Sequence, residues 1–146
     1  MNASSDPLWP TELRCSVDKK YLSIRFENGD SFTLSAQLLR VESPSAEVQG
    51  HGSDQKKTPL DKGDVQILGI EPVGSYAVRL IFSDSHNTGI FSWVLLHDYG
   101  VRQEAMMVDY QARVAALGYI RVRIDVSVKI LALVRNRQMR LHASVL

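Results

Sequence analysis

Several features that define common protein classes are missing from this 146-residue sequence. It contains one cysteine, Cys15, which excludes an internal disulfide and a cysteine-based zinc site. No run approaches the roughly 20 apolar residues of a membrane-spanning helix. The N-terminus has neither the basic start nor the apolar stretch of a signal peptide. The sequence therefore predicts a cytoplasmic protein with no membrane span.

Motifs of familiar enzyme classes are also missing. The segment Gly50-His51-Gly52 is too short for a glycine-rich phosphate loop, and there is neither a Gly-x-Ser-x-Gly elbow nor a His-Glu-x-x-His helix. Cys15 lies in a predicted strand at a position that faces the core, so a structural role is favoured for this thiol. The sequence thus predicts no catalytic residue, no enzyme activity and no cofactor.

Basic and acidic side chains are nearly balanced, since 17 Lys/Arg and 16 Asp/Glu give a net charge of +1. The charge is unevenly placed, however. Residues 1–118 carry 11 basic and 15 acidic side chains, whereas residues 119–146 carry six basic side chains and one acidic. Because nucleic-acid binding needs a basic surface and the body of the chain is mildly acidic, we expect no nucleic-acid partner.

The first part of the chain has the pattern of antiparallel strands. Apolar residues alternate with polar ones over residues 12–35, which predicts a three-stranded meander. Asn28-Gly29 marks a tight hairpin turn, because both residues accept positive φ. The same alternation returns over residues 65–91 and predicts a second hairpin with a short final strand.

Helices are predicted after the strands of each half. Ser35 caps a short predicted helix over residues 36–41. A second predicted helix covers residues 93–99 and is closed by Gly100. A third covers residues 102–117 and is ended by Gly118. We therefore predict an α+β fold, in which an antiparallel sheet built from hairpins carries the short helix and the two C-terminal helices on one side.

Two histidines lie in segments that have no regular pattern. His51 belongs to an irregular stretch over residues 42–63, and His86 to a turn over residues 83–89. With Glu47, Asp54 and Asp84 nearby, they are candidate ligands of a His/carboxylate metal site. The alternative, which we favour, is that both are turn histidines that bond to the backbone. Long irregular segments in small domains are often functional.

Three segments resemble one bacterial domain family. They are Leu39–Gly52, which reads LRVESPSAEVQGHG, Ile70–Leu80, which reads IEPVGSYAVRL, and Asp84–Trp93, which reads DSHNTGIFSW. The family is the domain of unknown function named after the N-terminal domain of gamma-butyrobetaine hydroxylase. The resemblance covers roughly residues 9–118, which leaves residues 1–8 as a flexible leader and residues 119–146 as a separate tail.

The resemblance implies that this chain lacks both the oxygenase domain and the zinc site of the related hydroxylases. In the related hydroxylases, this small domain precedes a jelly-roll domain that holds iron and 2-oxoglutarate, and 146 residues leave no room for it, so no oxygenase reaction is expected. The small domain there resembles a zinc module with three cysteines and a histidine. The matching positions here are Ser43, Ser45, Val48 and His86, of which only the last keeps a zinc ligand. We therefore expect no metal.

The resemblance also bears on partners. The domain is similar to a C-terminal appendage of some P-loop ATPases that carry iron–sulfur clusters, which implies an accessory role in cluster assembly or delivery. Our leading hypothesis is a stand-alone, non-enzymatic interaction module that binds an unknown protein partner. The predicted surface comprises Arg40, Ser43, Pro44, Ser45, Glu47, His51, Asp84 and His86. The alternatives are a metal- or small-ligand-binding domain centred on His51 and His86, and a fragment related to 2-oxoglutarate oxygenases.

The tail over residues 119–146 combines basic and apolar residues. Its apolar positions from Ile120 to Ile130 alternate strictly with polar ones, which is the period of a strand. We favour a poorly ordered, dispensable tail, because an unpaired apolar strand promotes aggregation. An added edge strand and a basic, membrane- or acid-seeking tail are the alternatives, as is a peptide with no evolved role.

Overall fold

The computed structural model describes residues 8–52 and 55–135, and the burial of side chains up to residue 118. The chain divides into two compact units, Met1–Tyr110 and Gln111–Leu146. The first unit contains all the strands described below. Nearly all of the leader predicted for residues 1–8 lies outside the described residues.

The first three strands form an antiparallel sheet in the order β1-β2-β3. They are β1 (Pro10–Cys15), β2 (Tyr21–Phe26) and β3 (Ser31–Ser35). The predicted turn between β2 and β3 is present, with Gly29 at φ 93°, whereas Asn28 does not take positive φ. Alternate side chains of β2 are buried, which confirms the meander and its apolar face.

The remaining strands form a second antiparallel sheet rather than a continuation of the first. They are β4 (Ile67–Val73), β5 (Ala77–Phe82) and β6 (Ile90–Ser92), in the order β4-β5-β6. Helices and loops connect β3 to β4, and these two strands belong to different sheets. The single predicted sheet is therefore two three-stranded sheets within the predicted α+β class.

One hydrophobic core receives side chains from both sheets and from the helices. Its largest fully buried members are Phe26, Phe82, Phe91, Leu22, Ile24, Leu34, Leu38, Leu39, Ile67, Leu80, Leu96 and Val41. Cys15 packs against this core from β1, as predicted for a structural thiol.

Two short helices follow β3. In α1 (Ala36–Val41) the Ser35 hydroxyl accepts a hydrogen bond from the Leu38 backbone N–H at 3.0 Å, which confirms the predicted cap. The second, α2 (Ala46–Gln49), lies in the stretch predicted to be irregular, and Ser45 is its cap. One helical turn is too short to show a periodic pattern in sequence.

A single long helix, α3 (Trp93–Arg135), replaces the two predicted C-terminal helices. Ser92 caps it, since its hydroxyl accepts from the Leu95 backbone N–H at 3.1 Å. Gly100 does not end a helix. A Cβ atom at this position would lie 2.3 Å from Cγ of Phe32, so glycine lets the helix approach β3 closely. Gly118 also lies within the helix and has open space around it.

The edge strand considered for residues 120–130 is wrong, because α3 continues through them. A helix satisfies its backbone hydrogen bonds internally, whereas an added strand needs a neighbour. Residues 136–146 of the predicted tail lie outside the described residues. Among the helices of the described chain, none has the length and apolar character needed to cross a membrane.

The close approach at Gly100 gives a test with a matched control. We expect Gly100→Ala to lower the free energy of unfolding by roughly 1–3 kcal/mol, because the added methyl group overlaps the Phe32 ring. Gly118→Ala should leave it unchanged or raise it by up to about 1 kcal/mol, since alanine favours the helix and nothing is displaced. Chemical denaturation followed by circular dichroism measures both. A Gly100→Ala protein as stable as the wild type would contradict the packing described.

Candidate functional site

Two segments that are distant in sequence meet at one end of the first unit. We call residues 42–49 the serine loop and residues 84–89 the histidine turn. Ser43 and Ser45 are buried in the first segment, and His86 is buried in the second. Direct hydrogen bonds join them, so the polar groups are satisfied by one another rather than by solvent.

His86 is the centre of this network. Its Nδ1 lies 3.1 Å from Glu47 Oε2, and its Nε2 lies 2.9 Å from Ser43 Oγ. Burial of the ring lowers the pKa of His86, and the Arg40 guanidinium lowers it further. The neutral ring therefore donates from Nδ1 to the carboxylate and accepts the Ser43 hydroxyl proton at Nε2.

The order hydroxyl, imidazole, carboxylate resembles the relay of a serine hydrolase. Ser43 is 0% exposed, however, and its Oγ also accepts a hydrogen bond from the Ser45 backbone N–H at 3.3 Å. A Cβ atom at Gly89 would lie only 2.3 Å from that Oγ. Because no substrate carbonyl has room beside the hydroxyl, the contacts favour a structural role for this trio.

Further bonds reinforce the junction of the two segments. Ser45 Oγ lies 2.6 Å from Thr88 Oγ1, and Gln49 Nε2 donates to the Ser43 carbonyl at 2.9 Å. The Ser45 hydroxyl also caps α2 by accepting from the Glu47 backbone N–H at 3.2 Å. The same serine thus shapes the loop locally and fixes it to the histidine turn.

Beside the histidine, Asp84 holds two cations. Arg40 Nε donates to Asp84 Oδ2 at 2.7 Å, and Lys62 Nζ lies 2.6 Å from the same oxygen. The His86 backbone N–H donates to Asp84 Oδ1 at 3.2 Å. Partial burial by itself raises the pKa of Asp84, but the hydrogen bonds from Lys62, the His86 N–H and Arg40 outweigh it and lower the pKa from 3.8 to about 2.

Contacts with Lys56 and Tyr99 fix Glu42 at the start of the serine loop. Glu42 is buried, and Lys56 Nζ lies 2.7 Å from its Oε1. Tyr99 Oη donates to the Glu42 backbone carbonyl at 2.5 Å. Burial raises the pKa of Tyr99 to about 12, with a further contribution from the Glu42 carboxylate, so the phenol remains a donor. Sequence patterns gave no sign of this contact, since Tyr99 reads as an ordinary helix residue.

The structure brings together most of the predicted surface residues, although not as one exposed surface. Ser43, Ser45 and His86 are interior, whereas the Glu47 side chain is 61% exposed. The mostly buried side chains of Arg40 and Asp84 lie beside them. Pro44 packs near Gly89.

His51 is exposed and is not joined to His86 by any described contact. Its backbone N–H donates to Gln55 Oε1 at 3.0 Å. Asp54, which we predicted as a possible ligand, lies outside the described residues. Over residues 8–52 and 55–118, no three His, Cys, Asp or Glu side chains converge as a metal site requires.

The residues at the positions implied for zinc do not fit a zinc ion. Both ring nitrogens of His86 are engaged, one by Ser43 and one by Glu47. Val48 is 2% exposed and has no donor atom. Neutral hydroxyls and a valine do not replace thiolates in a structural zinc site. Hydrogen bonds between side chains at these positions join the serine loop to the histidine turn.

Comparison with known families gives a match over residues 13–97 to the family described as gamma-butyrobetaine hydroxylase-like, N-terminal. An NMR structure similar to the chain is 44% identical to it, covers 81% of this chain and 88% of its own, and has a TM-score of 0.67. A second NMR structure is 38% identical over 77% and 89% of the two chains, with a TM-score of 0.63.

A crystal structure from Acidithiobacillus ferrooxidans is also similar. It is a protein of unknown function of the DUF971 family, 36% identical over 60% of this chain and 86% of its own, with a TM-score of 0.50. No curated protein matches the chain. The comparisons thus support the family resemblance and the fold, and bring no activity with them.

Removing the Ser43 hydroxyl tests whether the network is structural. We expect Ser43→Ala to lower the free energy of unfolding by about 1–3 kcal/mol, because the buried Nε2 of His86 loses its partner. Ser75→Ala is the matched control, since Ser75 is exposed in a turn, and it should change stability by less than about 0.5 kcal/mol. Urea denaturation measures both variants. Equal stabilities would show that the hydroxyl is not needed.

The low pKa of Asp84 predicts a dependence of stability on pH. The carboxyl takes up a proton near 3.8 in the unfolded chain but only near 2 in the folded one, so its contribution is complete above about pH 4 and is lost as the pH falls toward 2. Denaturation at several pH values should therefore show a smaller loss between pH 4 and 2 for Asp84→Asn than for the wild type. Parallel pH profiles would contradict the ion pairs described.

Proposed function

Since the chain belongs to the gamma-butyrobetaine hydroxylase-like N-terminal domain family, we propose that it is a non-enzymatic, cytoplasmic module that binds a protein partner. The binding surface is formed by the exposed residues of the serine loop and the histidine turn. One observation carries the proposal: the buried hydrogen bond between Ser43 and His86, with the partly buried bond between Ser45 and Thr88, holds the two segments together.

A surface that is fixed before binding loses little conformational entropy on binding. Here the buried polar groups hold the backbone of both segments, while Glu47 and Asn87 remain exposed above them. An interior network that positions exposed side chains on rigid supports is the arrangement expected of a recognition surface. The inaccessible Ser43 hydroxyl supports binding over hydrolysis.

A cleft of about 480 Å³ beside the serine loop adds to this surface. The half-buried Pro44 and Leu95 and the buried Met106 line it together with the charged side chains of Lys56 and Arg102. Apolar side chains surrounded by charged ones are typical of the anchor points in protein interfaces. The cleft lies entirely within the first unit.

The class of partner is inferred from the family resemblance. A similar domain is attached to P-loop ATPases that carry iron–sulfur clusters, and we propose that this chain serves the same machinery as a separate protein. Cys15 packs on the core, and a single thiol does not hold a cluster by itself. The chain would therefore act on the partner rather than on the cluster.

Affinity capture with paired variants tests the proposal. We expect Glu47→Gln to weaken binding of the captured partner at least about fivefold, because an interface carboxylate is lost while the amide oxygen still accepts from His86. Glu27→Gln makes the same chemical change at an exposed position of the β2–β3 turn and should bind like the wild type. Binding is measured with the partner purified after mass-spectrometric identification.

Stability and metal controls accompany this comparison. His51→Ala should change the free energy of unfolding by less than about 0.5 kcal/mol, as expected for an exposed side chain. Binding that is abolished by a chelator and restored by metal would favour the metal-binding alternative. A partner that responds equally to the Glu47 and Glu27 variants would contradict the proposed surface.

A further inference from the structure

A second cleft, of about 520 Å³, opens on the other side of the serine loop. Three cationic side chains line it, those of Arg40, Lys57 and Lys62, with Glu47 as the one acidic residue of its lining. Its volume is in the range of sites for small molecules. Pro59 and Leu60 contribute an apolar wall beside the charges.

Arg40 is the unusual member of this lining. Its side chain is only 13% exposed, and its Nε is used by Asp84. Its Nη1 is buried and has no acceptor in the part of the chain that the structure describes. A buried guanidinium nitrogen without an acceptor costs free energy, and an anion that reached it would supply the missing acceptor.

The two lysines add donors to the same cleft. Lys62 uses Asp84 as a partner, which leaves further ammonium protons, and Lys57 is exposed at the rim. Against the three cations stand Asp84 and Glu47, so the cleft keeps a net positive charge. The neutral His86 adds no charge to the cleft. This net charge of +1 and this set of donors attract an oxyanion.

We propose that the cleft formed by Arg40, Lys57 and Lys62 binds a small molecule that carries a phosphate or dicarboxylate group. The anion accepts from the guanidinium of Arg40 and from both ammonium groups, while the remainder of the ligand lies against Pro59 and Leu60. The cleft shares Glu47 with the proposed partner surface but takes a different class of ligand. Its failure would leave the protein-binding proposal standing.

Titration of the full ¹⁵N-labelled chain with inorganic phosphate tests the proposal. At mildly alkaline pH and constant ionic strength, we expect saturable, one-to-one shifts at the amides of Lys57, Thr58 and Leu60 and at Nε of Arg40. Succinate in a parallel titration represents the dicarboxylate source. Tighter binding of phosphate or of succinate identifies the preferred group, whereas shifts that rise linearly with both probes would overturn the proposal.

Two lysine variants provide a matched comparison of charge. Lys57→Gln should weaken phosphate binding at least about threefold through the loss of a charge-assisted contact. Lys19→Gln removes the same charge from an exposed turn outside the cleft and should bind like the wild type. Equal effects of the two variants would show only a general attraction of anions and would overturn the site.

Arg40→Lys tests the guanidinium itself. It keeps the charge but removes the planar set of donors, and we expect at least about tenfold weaker binding. Circular dichroism shows whether this variant still folds without the Arg40–Asp84 pair. Should it unfold, the comparison of Lys57→Gln with Lys19→Gln decides the question. A folded Arg40→Lys protein with unchanged phosphate affinity would contradict the role of Arg40.

Discussion

The hydrogen bond from Ser43 to Nε2 of His86 is the interaction on which the site depends. It joins two residues 43 positions apart in sequence, in a place where neither is open to water. Once these groups are buried, each must have a hydrogen-bond partner, because leaving a buried polar group unsatisfied lowers the stability of the fold. The bond therefore fixes the position of the histidine turn relative to the serine loop, and Glu47 is held in place by the other ring nitrogen.

Burial of the ring, reinforced by the charge of Arg40, keeps the histidine neutral. Arg40 lies close enough to lower the pKa of His86, while its Nε is held by Asp84. A protonated ring would donate from both nitrogens, and the Ser43 hydroxyl would have to reverse its direction. The ion pair and the hydrogen-bonded trio thus depend on each other, so that acidification acts on both.

Local patterns predict the strands and caps well because these depend on neighbouring residues. The Asn28-Gly29 turn, the Ser35 cap and the alternation along β2 each follow from the chemistry of a few adjacent positions. Gly100 shows where such reasoning ends. A glycine after a helical pattern resembles a stop, and only the position of Phe32 on β3 shows that close packing requires it.

The residues of the candidate site are predictable from the sequence, but their burial is not. These residues were identified from the family motifs, but their burial depends on long-range contacts such as that between Ser45 and Thr88.

Burial separates the residues that shape the site from those available for recognition. Because Ser43 and His86 are buried, a substitution at either would alter the support of the proposed surface, so a loss of partner binding there would not identify a contact. The Glu47 side chain is mostly exposed, lines the cationic cleft and also accepts from His86. A protein partner at the serine loop and a small anion in the cleft would therefore both act on this carboxylate. By thermodynamic linkage, any effect of the anion on partner affinity must equal the effect of the partner on anion affinity. Because the scaffold beneath Glu47 is fixed by buried bonds, such coupling would pass through the charge and position of this one side chain rather than through a rearrangement of the fold.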